Sequence, residues 1–375
     1  FFFHPHPGIP DAQESRGLGD VYKRQLMKID FFKVILNKRF PLEISRGVRS
    51  NSENLFVRIE ENGMVGWGES APGESEGASS VDEVKSLLDS FVKTGIKGNT
   101  ISSLYDRSRE MGIAPCAYVA IDTALWDLKA KKAGLPLYNL LGFPKPFVPT
   151  SVTLGINSPE VIKERIPIIM EGKSIKSLKI KLGSPKGIEA DMEMFEQVLE
   201  STKNFKVSLR VDANGGWNVT DAIKMMKWLS KNDVDYVEQP LEEGKEADLK
   251  YLFKNRALPI YVDESCRFSD DIFSYYNYVD GVNMKLMKCG GITEALRIID
   301  TAKSLKLKTM IGCMSESSVA IAAAASISGV INHIDLDSHY NLNPDPSEGV
   351  EMIDGITTPK YIPGHGAILK SEFYA

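Results

Sequence analysis

Cysteine is sparse in this chain, and its placement excludes two architectures. The four residues, Cys116, Cys266, Cys289 and Cys313, show neither paired nor metal-type spacing. A disulfide framework or a cysteine metal cage is therefore not indicated, and reduced thiols in a cytoplasmic protein are expected. No apolar run is long enough to span a bilayer, and no basic start leads into a long apolar segment, so no secretory signal is expected. An excess of positive charge is also missing. The formal net charge is −5 and the pI about 5.7, which argues against a nucleic-acid or anionic-membrane partner. What is present is the composition of a soluble globular protein, 43% hydrophobic and 25% charged, over 375 residues. That length exceeds one ordinary domain and fits a barrel with a smaller partner.

Residues 1–26 contain Phe-Phe-Phe, His-Pro-His-Pro and a polar stretch, and are expected to be an extension foreign to the fold. His4 and His6 are discounted as ligands for that reason. From Met27 a strand pattern begins. Segments 28–39 and 54–60 read as strands, and Asn62-Gly63 turns the chain into Val65-Gly-Trp-Gly-Glu69. Helical periodicity follows over 81–93, 102–111 and, most strongly, 115–132, where Gly134-Leu-Pro136 ends it. Residues 27–147 thus read as an α+β domain. Over 148–348 the grammar alternates strand and helix. The strands are expected at 150–155, 177–182, 206–212, 234–238, 260–263, 281–285, 308–312 and 333–337, with helices at 159–172, 189–201, 219–231, 292–305 and 318–328. Such a repeat predicts an α/β fold of the TIM-barrel type, with its chemistry at the carboxyl ends of the strands. Residues 349–375 are strand- and loop-like and are expected to pack back on the first domain.

Charged residues close several of these apolar runs. Asp212 ends Leu209-Arg-Val-Asp, Glu238 ends Tyr236-Val-Glu, Asp263 ends Ile260-Tyr-Val-Asp and Lys285 ends Val282-Asn-Met-Lys. Three carboxylates brought to one mouth form an oxygen-only set suited to Mg²⁺. Glu264 has the opposite strand parity, so Asp263 is the better ligand. In Leu178-Lys-Ile-Lys-Leu182, Lys179 and Lys181 share a face. Crowding two cations lowers the proton affinity of both, which suits a lysine base. Lys285, from the sixth strand, lies roughly opposite the second in an eight-membered ring, so a ligand between Lys181 and Lys285 would meet an amine on each side. A cation holding a substrate carboxylate would stabilise the enediolate formed when the neighbouring α-proton leaves. The blander reading is a set of helix-capping or ion-paired acids at barrel loops.

Lys-Ile-Lys, Val-Asp-Ala-Asn, Val-Glu-Gln-Pro, Asp-Glu-Ser and Asn-Met-Lys-Leu-Met-Lys-Cys-Gly-Gly, in this order, resemble the enolase superfamily, muconate-lactonizing subgroup. Lysine bases beside Mg²⁺ are an established feature of that superfamily. The resemblance implies a capping α+β domain over a modified (β/α)₇β barrel, with Lys181 and Lys285 catalytic and Asp212, Glu238 and Asp263 holding Mg²⁺. Asp335-Leu-Asp337 puts two acids on one face of the last strand and resembles the site at which dipeptide epimerases hold the substrate's amino terminus. By the same resemblance Thr153, Lys179, Cys313 and Ser315 would line a dipeptide pocket. Two loops, 42–51 and 69–80, would cover the mouth. Within them Arg46 and Arg49 suit an acidic side chain, as in Ala-Glu epimerases, while Glu74 and Glu76 suit a cationic or neutral one. The expected reaction is Mg²⁺-dependent inversion of the α-carbon of the C-terminal residue of a dipeptide by two-base 1,1-proton transfer. o-Succinylbenzoate synthesis, N-acylamino acid racemisation and a ligand-binding barrel without catalysis are the alternatives. A homo-oligomer is expected by analogy with the family.

Overall fold

The structure is a computed structural model that describes residues 27–44, 47–171 and 174–374, with only the backbone of Val48 and Arg49. Residues 1–26 and Arg46 lie outside it. Three antiparallel strands, β1 (Lys28–Ile44), β2 (Gly47–Glu61) and β3 (Met64–Ser70), form a sheet in that order. They are followed by α1 (Val81–Val92), α2 (Ile101–Glu110), α3 (Pro115–Lys132) and a single turn, α4 (Leu137–Leu140). Strand alternation decides what each face of β2 meets. Leu55, Val57 and Ile59 pack against α1–α3, while Phe56 turns the other way, to a cluster shared with the C-terminal segment. Helix α3 lies in direct contact with β3. A Cβ at Gly66 would come within 2.1 Å of the Ala124 carbonyl oxygen, and one at Gly68 within 1.9 Å of that of Ala120. The Gly-Trp-Gly spacing is thus a packing requirement of this sheet.

β1 and β2 run on well past the lengths read from sequence. Residues 42–51, expected to be a loop, are mostly the outer part of a hairpin in which Leu42 pairs with Arg49 and Ile44 with Gly47. The β1 side of the hairpin docks on the barrel. Phe40 and Asn341 exchange two hydrogen bonds of 2.8 Å, and the Ile156 N–H donates to the Glu43 carbonyl at 2.8 Å.

The eight parallel strands are β4 (Ser151–Leu154), β5 (Ser177–Lys181), β6 (Ser208–Asp212), β7 (Val234–Glu238), β8 (Ile260–Val262), β9 (Gly281–Lys285), β10 (Lys308–Gly312) and β11 (His333–Ile334). They neighbour one another in chain order, and a parallel bridge between Thr150 and Ile334 joins the first to the last. Their crossovers carry α5 (Pro159–Met170), α6 (Ile188–Thr202), α7 (Val219–Leu229), α8 (Leu249–Asn255), α9 (Leu286–Cys289) with α10 (Ile292–Ser304), and α11 (Ser318–Ala325). Between β8 and β9 there are only 3₁₀ turns. The expected (β/α) barrel is present. Its last strand is shorter than the 333–337 read from sequence.

Two-residue periodicity layers the barrel interior. Tyr236, Tyr261 and Met310 form the floor, with the His333 ring 4.9 Å from that of Tyr236. Two residues on from Tyr236 and Tyr261 stand Glu238 and Asp263, and Asn283 of β9 pairs with Met310; all three polar residues are fully buried. After the barrel, β12 (Ser347–Glu348) pairs with β15 (Ile368–Leu369), and β13 (Val350–Ile353) with β14 (Ile356–Pro359). Tyr374 meets Phe32 and Trp67 at ring distances of 5.4 and 5.2 Å, and the buried His365 donates its backbone N–H to Asp127 at 2.8 Å. Among the described residues no helix is long and apolar enough to cross a membrane.

Candidate active site

Register brings the charged strand ends together. Lys181 pairs with Asp212, and Asp212 with Glu238, across adjacent ladders. Asp263 follows β8, and Lys285 ends β9. These five residues therefore form an arc over consecutive strands, with an ammonium group at each end. Lys181 Nζ donates to Asp212 Oδ2 at 2.5 Å, and Lys285 Nζ to Asp263 Oδ2 at 2.5 Å. The carboxylates of Asp212, Glu238 and Asp263 each offer an oxygen, and these oxygens lie within 4.8 Å of one another. Burial and the neighbouring Asp212 push Glu238 up to about 8. Burial also opposes the charge of Asp263, but Lys285 and Lys288 outweigh it and hold that carboxylate well below its usual range.

Across the barrel, Asp335 and Asp337 follow β11 and have different surroundings. Asp335 is in ion contact with Lys179 and accepts from Ser151 Oγ at 2.7 Å and Thr153 Oγ1 at 3.4 Å. Against the cost of burial, Lys179 keeps it below the usual carboxylate range. Asp337 accepts the Thr153 backbone N–H at 2.7 Å. Burial and repulsion from Asp335 push it up to about 7. Lys179 sits deeper, 3.3 Å from Glu238 and 3.5 Å from Asp212. Burial works against its charge, yet Asp335, Glu238 and Asp212 hold it well above the usual lysine range. Asp263 likewise outweighs burial at Lys285, which is raised. The expectation that the crowded pair of Lys-Ile-Lys would have lowered proton affinity therefore needs correcting for Lys179, whose ammonium is held by Asp335, Glu238 and Asp212. A divalent cation on those carboxylates would offset their pull.

Several contributors escaped the sequence reading. Lys288 is fully buried in α9. Its Nζ lies 2.5 Å from Asp263 Oδ1 and donates to the carbonyls of Cys266 and Asn283 at 3.1 and 3.2 Å. Asn283 donates to Glu238 Oε1 at 2.7 Å. Its position two residues before Lys285, on the same face, was a usable signal. Asn214 and Glu264 are joined at 3.3 Å and line the mouth. A cavity of about 950 Å³ opens there, bounded by the hairpin and by residues 72–76 of the second loop. Thr153, Lys179, Lys181, Lys285, Cys313, Ser315, Asp335 and Asp337 all line it. Cys313 also donates its Sγ–H to the Asp335 carbonyl at 3.3 Å. Arg46 lies outside the described residues, as does the side chain of Arg49.

The donor set fits Mg²⁺. It is all oxygen, fully buried, and carries in Glu238 a carboxylate that its neighbours leave short of positive charge. Residues 27–142 match the model of the mandelate racemase/muconate lactonizing enzyme N-terminal domain, and residues 164–373 that of the enolase C-terminal domain-like family. A protein of Flavobacteria bacterium (strain MS024-2A) named hydrophobic dipeptide epimerase is 68% identical, covering 93% of this chain and 100% of its own length. A hydrophobic dipeptide epimerase of Roseobacter litoralis is 54% identical over 92% of this chain and 99% of its own. The crystal structure of a dipeptide epimerase from Enterococcus faecalis V583, complexed with Mg and the dipeptide L-Leu-L-Tyr, has a TM-score of 0.85 at 32% identity and covers 91% of this chain and 99% of that one. With both halves of the fold matched and the acidic arc in register, the chain belongs to the mandelate racemase/muconate lactonizing enzyme family of the enolase superfamily.

Proposed function

We propose that this protein is a Mg²⁺-dependent dipeptide epimerase that inverts the α-carbon of the C-terminal residue. The observation that carries the reading is the arc itself: two lysine amines at opposite ends of a buried carboxylate trio, with an acid pair across the cavity. Asp212, Glu238 and Asp263 would hold the metal, which when bound anchors the substrate carboxylate and offsets charge developing as the α-proton leaves. Lys181 and Lys285 approach the α-carbon from contrary sides, one removing the proton and the other returning one, with roles exchanged for the other epimer. Asp337, with no ammonium partner of its own among the described residues, receives the substrate's α-ammonium. Asp335 is already engaged by Lys179 and Ser151 and steadies that acid pair from below.

The cavity wall near the hairpin carries Leu42 and Ile44, and the barrel rim adds Val152, Leu154 and Ile168. With the names of the two relatives above, this supports an apolar C-terminal side chain. The same reading puts the enzyme in the cytoplasm, in keeping with the free, buried thiols of Cys116, Cys266 and Cys289. By analogy with the family it is a homo-oligomer. The test is incubation of L,L-dipeptides with acidic, basic and apolar C-terminal residues in ²H₂O with Mg²⁺, following the α-proton. Exchange is expected and fastest for apolar residues. Lys181→Ala and Lys285→Ala should each cut epimerisation by about 10²–10⁴-fold. Full turnover in either variant excludes the two-base mechanism.

A further inference from the structure

Glu69 is the penultimate residue of β3 in the N-terminal α+β unit, yet its carboxylate serves the barrel. Asn54 and Glu69 are diagonal neighbours on the face of the sheet turned toward α11, and both are fully buried. Glu69 Oε1 accepts from Asn54 Nδ2 at 2.7 Å and from the Ser317 N–H at 3.0 Å. Oε2 accepts from Ser317 Oγ at 2.6 Å and from the Ala320 N–H at 3.1 Å. Those backbone donors lie at the start of α11, where a helix leaves its N–H groups unpaired and favours negative charge. The partners are 248 residues apart in the chain for Ser317. Asn54 Nδ2 also donates to the Ser315 carbonyl at 2.8 Å. Both of its partners are acceptors, so the amide nitrogen is the atom that must face them.

The segment so held runs from β10 into α11 and lines the cavity with Cys313, Met314 and Ser315. Cys313, Met314 and Ser315 are part-buried there, while Glu316 and Ser317 behind them are buried. Without Glu69 and Asn54, the Ser315 carbonyl and the first donors of α11 would lose their partners together.

We propose that Glu69 and Asn54 are positioning residues for the substrate: reaching across from the N-terminal unit, they set the segment 313–317 and so the cavity wall against which the dipeptide rests. The inference rests on the epimerase reading and adds to it a fixed connection between the two halves of the fold, separate from the hairpin over the mouth. Neither residue touches the metal trio or the two lysine bases, so substrate binding should respond while metal binding does not. The experiment compares wild type, Glu69→Gln and Ser317→Ala, all folded by circular dichroism. KM and kcat are measured from α-proton exchange with an L,L-dipeptide, and Mg²⁺ affinity by calorimetry. Glu69→Gln places an amide donor against N–H groups and is expected to raise KM on the order of tenfold. Ser317→Ala, which removes one donor, should raise it less. Mg²⁺ affinity should match wild type in both. An unaltered KM in the variants overturns the positioning role, as does a loss shared equally by KM, kcat and Mg²⁺ affinity, which would mark a purely structural part. If Glu69→Gln does not fold, Ser317→Ala decides on the same readouts. A wild type that exchanges no dipeptide overturns the epimerase reading and this inference together, whereas active wild type with indifferent variants overturns only the inference.

Discussion

Asp335 and Asp337 stand two positions apart, but one is bound to Lys179 and Ser151 while the other accepts the Thr153 N–H beside its like-charged neighbour. Burial and repulsion from Asp335 push Asp337 up to about 7, so it carries a proton below that pH and a charge above it. Only the charged form can pair with an ammonium group. KM for a dipeptide should therefore rise as the pH falls through about 7, and Asp337→Asn should raise KM roughly tenfold at pH 8 and abolish that slope. Initial rates of α-proton exchange between about pH 6 and 8, wild type beside variant, check both points. A slope retained in the variant would assign the titration to another group. The acids and lysines themselves were legible in sequence, because each closes a short apolar run. Their pairings were not. Nothing in Lys-Ile-Lys says that Lys179 lies deeper than Lys181 and bonds Asp335 beyond the last strand, and the ion contact of Lys288 with Asp263 joins residues 25 positions apart that only the folded barrel brings together.

At the level of elements, strands and helices with strong periodicity were readable and the interrupted ones were not. β1 continues beyond Arg39 although Pro41 and several charges break its pattern. Pro41 sits in a register shift between Asn37 and Leu42 of an edge strand, where a missing N–H costs no ladder bond. Helix α8 escaped notice because seven residues leave too few apolar repeats to count. The Gly-Trp-Gly stretch of β3 was read as strand, but its reason lies in α3. Gly68→Ala would set a Cβ 1.9 Å from the Ala120 carbonyl oxygen and force sheet and helix apart. The expected cost is about 1–3 kcal/mol. It should appear as a lower urea midpoint with unchanged m-value, and a midpoint equal to wild type would contradict the contact.

Across the whole molecule, the N-terminal unit supplies carboxylates to the starts of two barrel helices, Glu69 to α11 and Asp122 to α10. Asp122 accepts the Thr293 N–H at 3.1 Å and bonds Thr293 Oγ1 as well. Burial, opposed by those bonds, pushes it up to about 7. A carboxyl raised in the folded state contributes stability that is complete below its unfolded value near about 4 and is lost as the pH rises to about 7. Thermal stability should fall over that window, and Asp122→Asn should flatten the fall by on the order of a few kcal/mol. Melting temperatures at closely spaced pH values test this, and identical slopes in the two proteins would sink it.

The sequence alone determined the (β/α) repeat, the strand ends bearing Lys181, Asp212, Glu238, Asp263 and Lys285, and the acid pair after the last strand. Period-two and period-3.6 patterns are local properties, so they survive in a linear string. Only the tertiary structure decided which carboxylate answers which ammonium, how far the hairpin reaches over the mouth, and that Glu69 and Asp122 serve helices far along the chain. Those outcomes depend on burial and on contacts between residues hundreds of positions apart, and a single sequence does not record distance in space.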